Sequence, residues 1–135
     1  MPSVPEDLDP RVLEQELDTY LSNCDVVDAA IIATLDGRLR AQQQRGAFEV
    51  ERAAVMGSSL MALGDTITTE LGIGACEVVI AESQYGLVLF NHVQGVCVLI
   101  SVTKSKNGLG ALLSWARRTA EDIARKHFTS HRVTA

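Results

Sequence analysis

The chain has 135 residues, enough for one domain with a sizeable core. Apolar residues make up 47%, charged residues 21% and prolines only three positions, which excludes disordered and fibrous classes. A net charge of −5 argues against a nucleic-acid binder, since such proteins present a basic face.

In chain order, Asp9 before Pro10 predicts an N-cap and a proline at the first helical position, opening a helix to about Asn23 with Leu13, Leu17, Tyr20 and Leu21 inward. Residues 26–35 form a β-branched run almost free of polar side chains, apart from Asp28. Asp28 is either buried with a partner or placed at an exposed edge, and the sequence leaves both open. Asp36-Gly37 predicts a tight hairpin, because both central residues of a type I′ turn take positive φ. A more polar strand over 38–43 follows.

Residues 53–69 then run with a single charge, Asp65, at the spacing of a long amphipathic helix. Ala53, Met56, Leu60, Leu63, Ile67 and Leu71 form one apolar stripe, suited to packing on a sheet. Beside it lie Ala54, Gly57, Ser58, Met61, Gly64, Asp65 and Thr68. Each of the two glycines costs the helix about 1 kcal/mol relative to alanine, which points to close backbone approach and assigns this face to a second copy of the chain. The third face carries Val55, Ser59, Ala62 and Thr66 where Lys and Glu would be ordinary, with Arg52 and Glu70 at its ends. A single domain of this size does not surround a helix of roughly 35 Å on all sides, so an oligomer is favoured over a wholly buried core helix. A membrane span is excluded, because Asp65, two glycines and five Ser/Thr break the run well short of ~18 apolar residues.

Gly72 and Gly74 stop the helix. Three strands follow over 75–81, 86–93 and 96–103, with connections too short for crossovers, so they form an antiparallel meander. Asn107 is the expected cap of a last helix with Leu109, Leu112, Leu113, Ala116, Ala120 and Ile123 inward and Arg117, Arg118, Arg125 and Lys126 outside. The strands lack clean alternation, which predicts a sheet covered on both faces. The expected fold class is an α/β sandwich of order α-β-β-α-β-β-β-α, a five-stranded antiparallel sheet with one long helix on one face and the two terminal helices on the other. Residues 10–128 form the domain, between an N-terminal tail, 1–9, and a C-terminal tail, 129–135.

Charge is unevenly divided. Residues 1–82 carry fifteen acids and five bases, −10, and residues 83–135 two acids and seven bases, +5. An acidic first helix packed beside a basic last one accounts for the split. Cys24, Cys76 and Cys97 are odd in number and unpaired by spacing, as reduced thiols are. The opening MPSVPEDLDP lacks the basic and apolar regions of a secretory signal, so a cytoplasmic location is expected.

The order of elements, the hairpin VVDAAIIATLDGRLRAQ, the small-residue central helix and the closing SKNGLGALLSWARRTAEDIA together resemble the Roadblock/LC7 family over about residues 10–128. The resemblance implies a homodimer or heterodimer whose long helices pair and whose third strands, with Glu77 and Val79, join into one sheet. It also implies work beside a Ras-like small GTPase, as in the bacterial MglB-like members, or as an adaptor resembling dynein light chains, with no cofactor.

No enzyme chemistry stands out. His92, His127 and His131 are scattered without a metal-ligand spacing, and the serines lack a nucleophile elbow. The KSKNGLG segment, 104–110, lacks the order of a P-loop, and starting a helix explains it better than holding an anion. Arg52 reads as a solvated surface residue rather than an arginine finger. The expected function is a noncatalytic dimeric regulator that binds a Ras-like GTPase through Arg52, Val55, Ser59, Ala62, Thr66 and Glu70 and modulates its nucleotide cycle or localisation. The alternative is a dimeric scaffold with no effect on GTPase rate. No nucleic acid, membrane insertion or metal is expected.

Overall fold

A computed structural model describes residues 9–128, so the expected tails fall outside it apart from Asp9, and His131 with them. Helix α1, Pro10–Asn23, starts as its sequence dictates: Asp9 Oδ1 accepts from the Arg11 N–H at 3.0 Å, and Pro10 fills the first turn, where no backbone donor is needed. The Arg11 guanidinium, 3.0 Å from Asp9, holds that carboxyl below its ordinary pKa. Leu13, Leu17, Tyr20 and Leu21 are buried along one side.

Strand β1, Ala29–Thr34, is buried at every residue and pairs with β2, Leu39–Gln44. Their turn differs from expectation. Gly37 takes φ 94°, but Asp36 stays out of the positive region, so this is not a type I′ turn. The Thr34 hydroxyl donates to the Asp36 carboxylate and accepts from the Arg38 N–H at 2.8 Å, which ties Asp36 into a side-chain-capped loop. That same bond lowers the Asp36 pKa. The positive-φ pair falls at Gln94 and Gly95, at 56° and 69°, between β4, Gly86–Val93, and β5, Cys97–Thr103.

Between β2 and β4 run the long helix α2, Val50–Glu70, and strand β3, Val78–Ser83. The third strand begins later than its apolar pattern predicts, because the Cys76 N–H donates to Asp65 Oδ1 at 2.9 Å instead of joining the ladder. All pairings are antiparallel in the order β2-β1-β5-β4-β3, so β2 and β3 are the edges and β1 and β5 are central. The α-β-β-α-β-β-β-α sandwich is therefore the observed architecture.

Alternate residues sort to the two faces. Ala30, Ile32, Leu89, Val93, Cys97 and Leu99 meet α1 and α3, Leu109–Ile123, while Ile31, Ala33, Phe90, Val98 and Ile100 meet α2. Helix α3 ends in a wider π turn, Ala124–Phe128, where His127 Nε2 lies 3.0 Å from Glu16 of α1, so acidic α1 and basic α3 do meet. Its cap differs from expectation: Gly108, not Asn107, precedes the helix, without a side-chain cap bond. A Cβ at Gly108 would lie 3.2 Å from Val26 Cβ, so tight packing rather than capping sets the residue there.

Asp28 proves to be partnered. Its Oδ2 accepts from the Lys104 N–H at 2.7 Å, fastening the loop that leaves β5. Arg45 performs a similar task at the other edge, donating to the carbonyls of Asp25 at 3.0 Å and Val27 at 2.7 Å, and to that of Leu21. Among the described residues, no helix is long and apolar enough to cross a membrane.

Candidate interaction surface on the long helix and the sheet edge

Helix α2 turns a different side to the sheet from the one its largest apolar residues predict. Ala54, Gly57, Ser58 and Met61 are the buried residues, and Gly64, Asp65 and Thr68 are half-buried beside them. A Cβ at Gly57 would stand 2.6 Å from Ile100 Cδ1 and 3.0 Å from Phe90 Cε1. At Gly64 it would stand 3.0 Å from Val79 Cγ2 and 3.2 Å from Cys76 Sγ. The close approach that the glycines demand is thus to the chain's own strands. Ser58 completes the seat by donating to the Thr34 carbonyl at 2.8 Å.

Ala54, Gly57, Ser58 and Met61, expected at a second copy, are therefore spent on the core. Gly64, Asp65, Thr68 and Val79 are largely spent as well, and Glu77 remains exposed. The physical reason is distance: small residues let the helix axis settle close to the sheet, and dispersion contacts fall steeply with any gap. The bulkier stripe is left outside. Ala53 is half-buried, but Met56 is 64% exposed, Leu63 57%, Ile67 49% and Leu71 70%, with Leu60 at the margin.

This uncovered stripe does not end with the helix. Gly64 meets Val79 and Cys76, so that flank of α2 adjoins β3, whose residues Ile80, Ala81, Glu82 and Ser83 are exposed and whose outer backbone groups have no partner strand. Ile73, in the segment after the helix, is 72% exposed, and Ile80, on the other face of β3 with Val78, is 43% exposed. Periodicity alone does not single out either as a surface residue, although the short strand with two charged neighbours, Glu77 and Glu82, carries the mark of an edge.

The other flank holds Arg52, Val55, Ser59, Ala62, Thr66 and Glu70. All six are exposed on one side of the helix, as their spacing predicts. Val55 sits against the β1–β2 hairpin: a Cβ at Gly37 would be 3.3 Å from its Cα. Arg52 forms no ion pair among the described residues, and its position is that of a solvated side chain. No group of His, Cys, Asp and Glu among the described residues is placed to hold a metal ion.

No protein-family model matches the sequence, and no curated protein matches it either. Solved structures do match. The gliding protein MglB of Thermus thermophilus superposes with a TM-score of 0.80 at 15% identity, over 94% of this chain and 97% of that one. The chain has the Roadblock/LC7 fold. Myxococcus xanthus MglB gives a TM-score of 0.80 at 10% identity, covering 90% of this chain and 92% of that one. A Roadblock/LC7 domain from Streptomyces avermitilis gives 0.75 at 13%, covering 83% and 94%. At such identities the likeness is one of backbone path. The Roadblock/LC7 element order is kept here while the side chains on α2 and β3 are this chain's own.

Proposed function

We propose that this chain is a noncatalytic regulator that works as a dimer and binds a Ras-like small GTPase, altering its nucleotide cycle or its location. One observation carries the reading: the apolar side of α2 left outside the core lies beside the free edge of β3. Soluble monomers seldom leave such a patch open, and an unpaired strand edge beside it is a template for another strand. A second copy meets both needs at once, its α2 covering Met56, Leu63, Ile67 and Leu71 while its β3 extends the sheet. The family resemblance points the same way, since it implies paired long helices and joined third strands.

With that flank covered, Val55, Ser59, Ala62 and Thr66 from two neighbouring helices form a shallow, weakly charged platform bordered by Arg52 and Glu70. Small side chains there favour recognition by shape, through loops that the partner projects, over recognition by aromatic anchors. A surface of this kind acts on a GTPase by ordering its switch loops and its own catalytic groups, and contributes no reacting group itself.

The test is titration of a Ras-like GTPase, in GTP-loaded and GDP-loaded forms, against the parent protein, Ala62→Glu and Ser59→Arg, followed by a hydrolysis assay. Both substitutions lie on exposed helix positions, so the dimer mass and melting temperature should stay close to the parent's. Binding should be lost. Unchanged binding by both variants would place the partner on another face, and binding indifferent to nucleotide state with no effect on hydrolysis would identify a scaffold.

A further inference from the structure

Beyond the surfaces of α2 and β3, the late start of β3 leaves a gap in the sheet. Val78 is the first residue of β3 to pair with β4, opposite Asn91, and past it only the His92 N–H reaches across, to the Glu77 carbonyl at 3.2 Å. A cleft of about 690 Å³ opens there, between the 75–77 segment, the end of β4 and the second half of α3. Its size is that of ordinary small-ligand sites.

The polar groups around it are unusual in lacking partners. Asn91 is 3% exposed and its Oδ1 accepts no hydrogen bond, and neither ring nitrogen of His92 has a partner although both are buried. A buried polar atom left without a partner keeps its desolvation penalty, and folded proteins keep few of them. Arg117 and Glu121, both lining the cleft, stand one helical turn apart on α3 yet form no ion pair among the described residues, and Glu77, from the 75–77 segment, is equally unpaired. Asp65 accepts from the Cys76 N–H and Arg125 pairs with Asp122, so of the charged groups lining this space Arg117, Glu77 and Glu121 are left unpaired, beside an amide oxygen in want of a donor.

We propose that this cleft binds a small zwitterion that carries an ammonium and a carboxylate, as in a free α-amino acid or a short peptide. The carboxylate pairs with Arg117, whose planar fork suits it, and the ammonium lies between Glu77 and Glu121. One ammonium N–H reaches Asn91 Oδ1, since the terminal amide of asparagine turns readily about its last bond. The volume beyond a backbone-sized ligand leaves room for a side chain along α3, and His92, which alternation turns toward α2, borders the cleft from the other face of the sheet.

The experiment is a titration of the isotopically labelled full chain with glycine, glutamate, lysine, glycylglycine and glycine betaine at millimolar concentration. It follows the side-chain amide of Asn91 and the ring of His92 by NMR. Saturable shifts at both residues are expected with the amino acids or with glycylglycine. Free amino acids giving the larger response identify a metabolite site, and glycylglycine giving it identifies a peptide site. Betaine, which keeps both charges but has no N–H, should bind at least about tenfold more weakly. Arg117→Ala should weaken binding by about tenfold, and Asn91→Leu should remove the preference over betaine. Arg117 is exposed, and Asn91→Leu replaces an unpartnered polar group with an apolar one of similar size, so both variants retain the fold. Absence of saturable shifts with every zwitterion would mean that water alone fills the cleft and would overturn the proposal. Equal binding by parent, Arg117→Ala and Asn91→Leu would do the same.

Discussion

The two faces of the sheet are finished to different degrees. Helices α1 and α3 close one face, with Leu13, Leu17, Tyr20, Leu112, Ala116 and Ile123 over Ala30, Ile32, Leu89 and Leu99, and the Tyr20 hydroxyl donates to Ser101 at 2.9 Å within the core. Helix α2 alone covers the other, touching it through alanine, glycine, serine and one methionine and leaving its larger apolar residues outside. Two helices saturate a five-stranded face, and one does not. The second face is therefore the one on which a partner can still bury apolar area, at roughly 25 cal/mol per Å².

The largest effect is expected from lifting α2 off the sheet. Gly57→Leu inserts a side chain where even a Cβ would stand 2.6 Å from Ile100, and should destabilise the fold by about 3 kcal/mol or more, measured by urea unfolding. If Gly57 instead faced another chain, the variant would lose its dimer while keeping the stability of its fold. The second test addresses the uncovered flank. Leu63→Asp with Ile67→Asp should raise the dimer dissociation constant by about a hundredfold in analytical ultracentrifugation and leave the far-ultraviolet circular dichroism of the protein unchanged, because both residues are about half exposed already. A parent protein that sediments as a monomer at micromolar concentration would remove the premise of that test altogether.

A third, smaller effect belongs to the closed face. Burial pushes the Cys97 thiol from 9.0 up to about 12, and burial likewise raises the Tyr20 phenol above its ordinary value of 10.0, in part offset by its bond to Ser101. Both groups are neutral in the fold and ionise first in the unfolded chain, so the unfolded state holds fewer protons above pH 9.0 and stability falls as pH rises through that range. Below about pH 8, where both groups stay protonated in the folded and the unfolded chain alike, neither contributes appreciable slope. Unfolding midpoints measured from pH 7 to 11 should therefore drop on the alkaline side, and Cys97→Ala should flatten the first part of the fall at a cost in packing of about 1 kcal/mol.

Much of this molecule is written locally and is legible in the amino-acid order alone. The Asp9-Pro10 cap, the order of eight elements, the antiparallel meander and the doubly covered β1 and β5 each follow from signals a few residues long, because caps, turns and side-chain period depend on neighbours in the chain. The exposed side of α2 from Arg52 to Glu70 is legible for the same reason. Its rotation about its own axis is not. Two apolar stripes lie side by side on α2, and residue size points the bulkier one to the sheet; only the space above Phe90 and Ile100 decides that the stripe with Gly57 goes down and the stripe with Leu63 stays out. The same holds at the ends of elements. Asp36 has the pattern of a positive-φ turn residue, yet Thr34 engages its carboxylate; the third strand has the pattern of an earlier start, yet Asp65 takes the Cys76 amide. Both partners of that last bond line the cleft beside Asn91, and it joins residues eleven positions apart, beyond any local pattern.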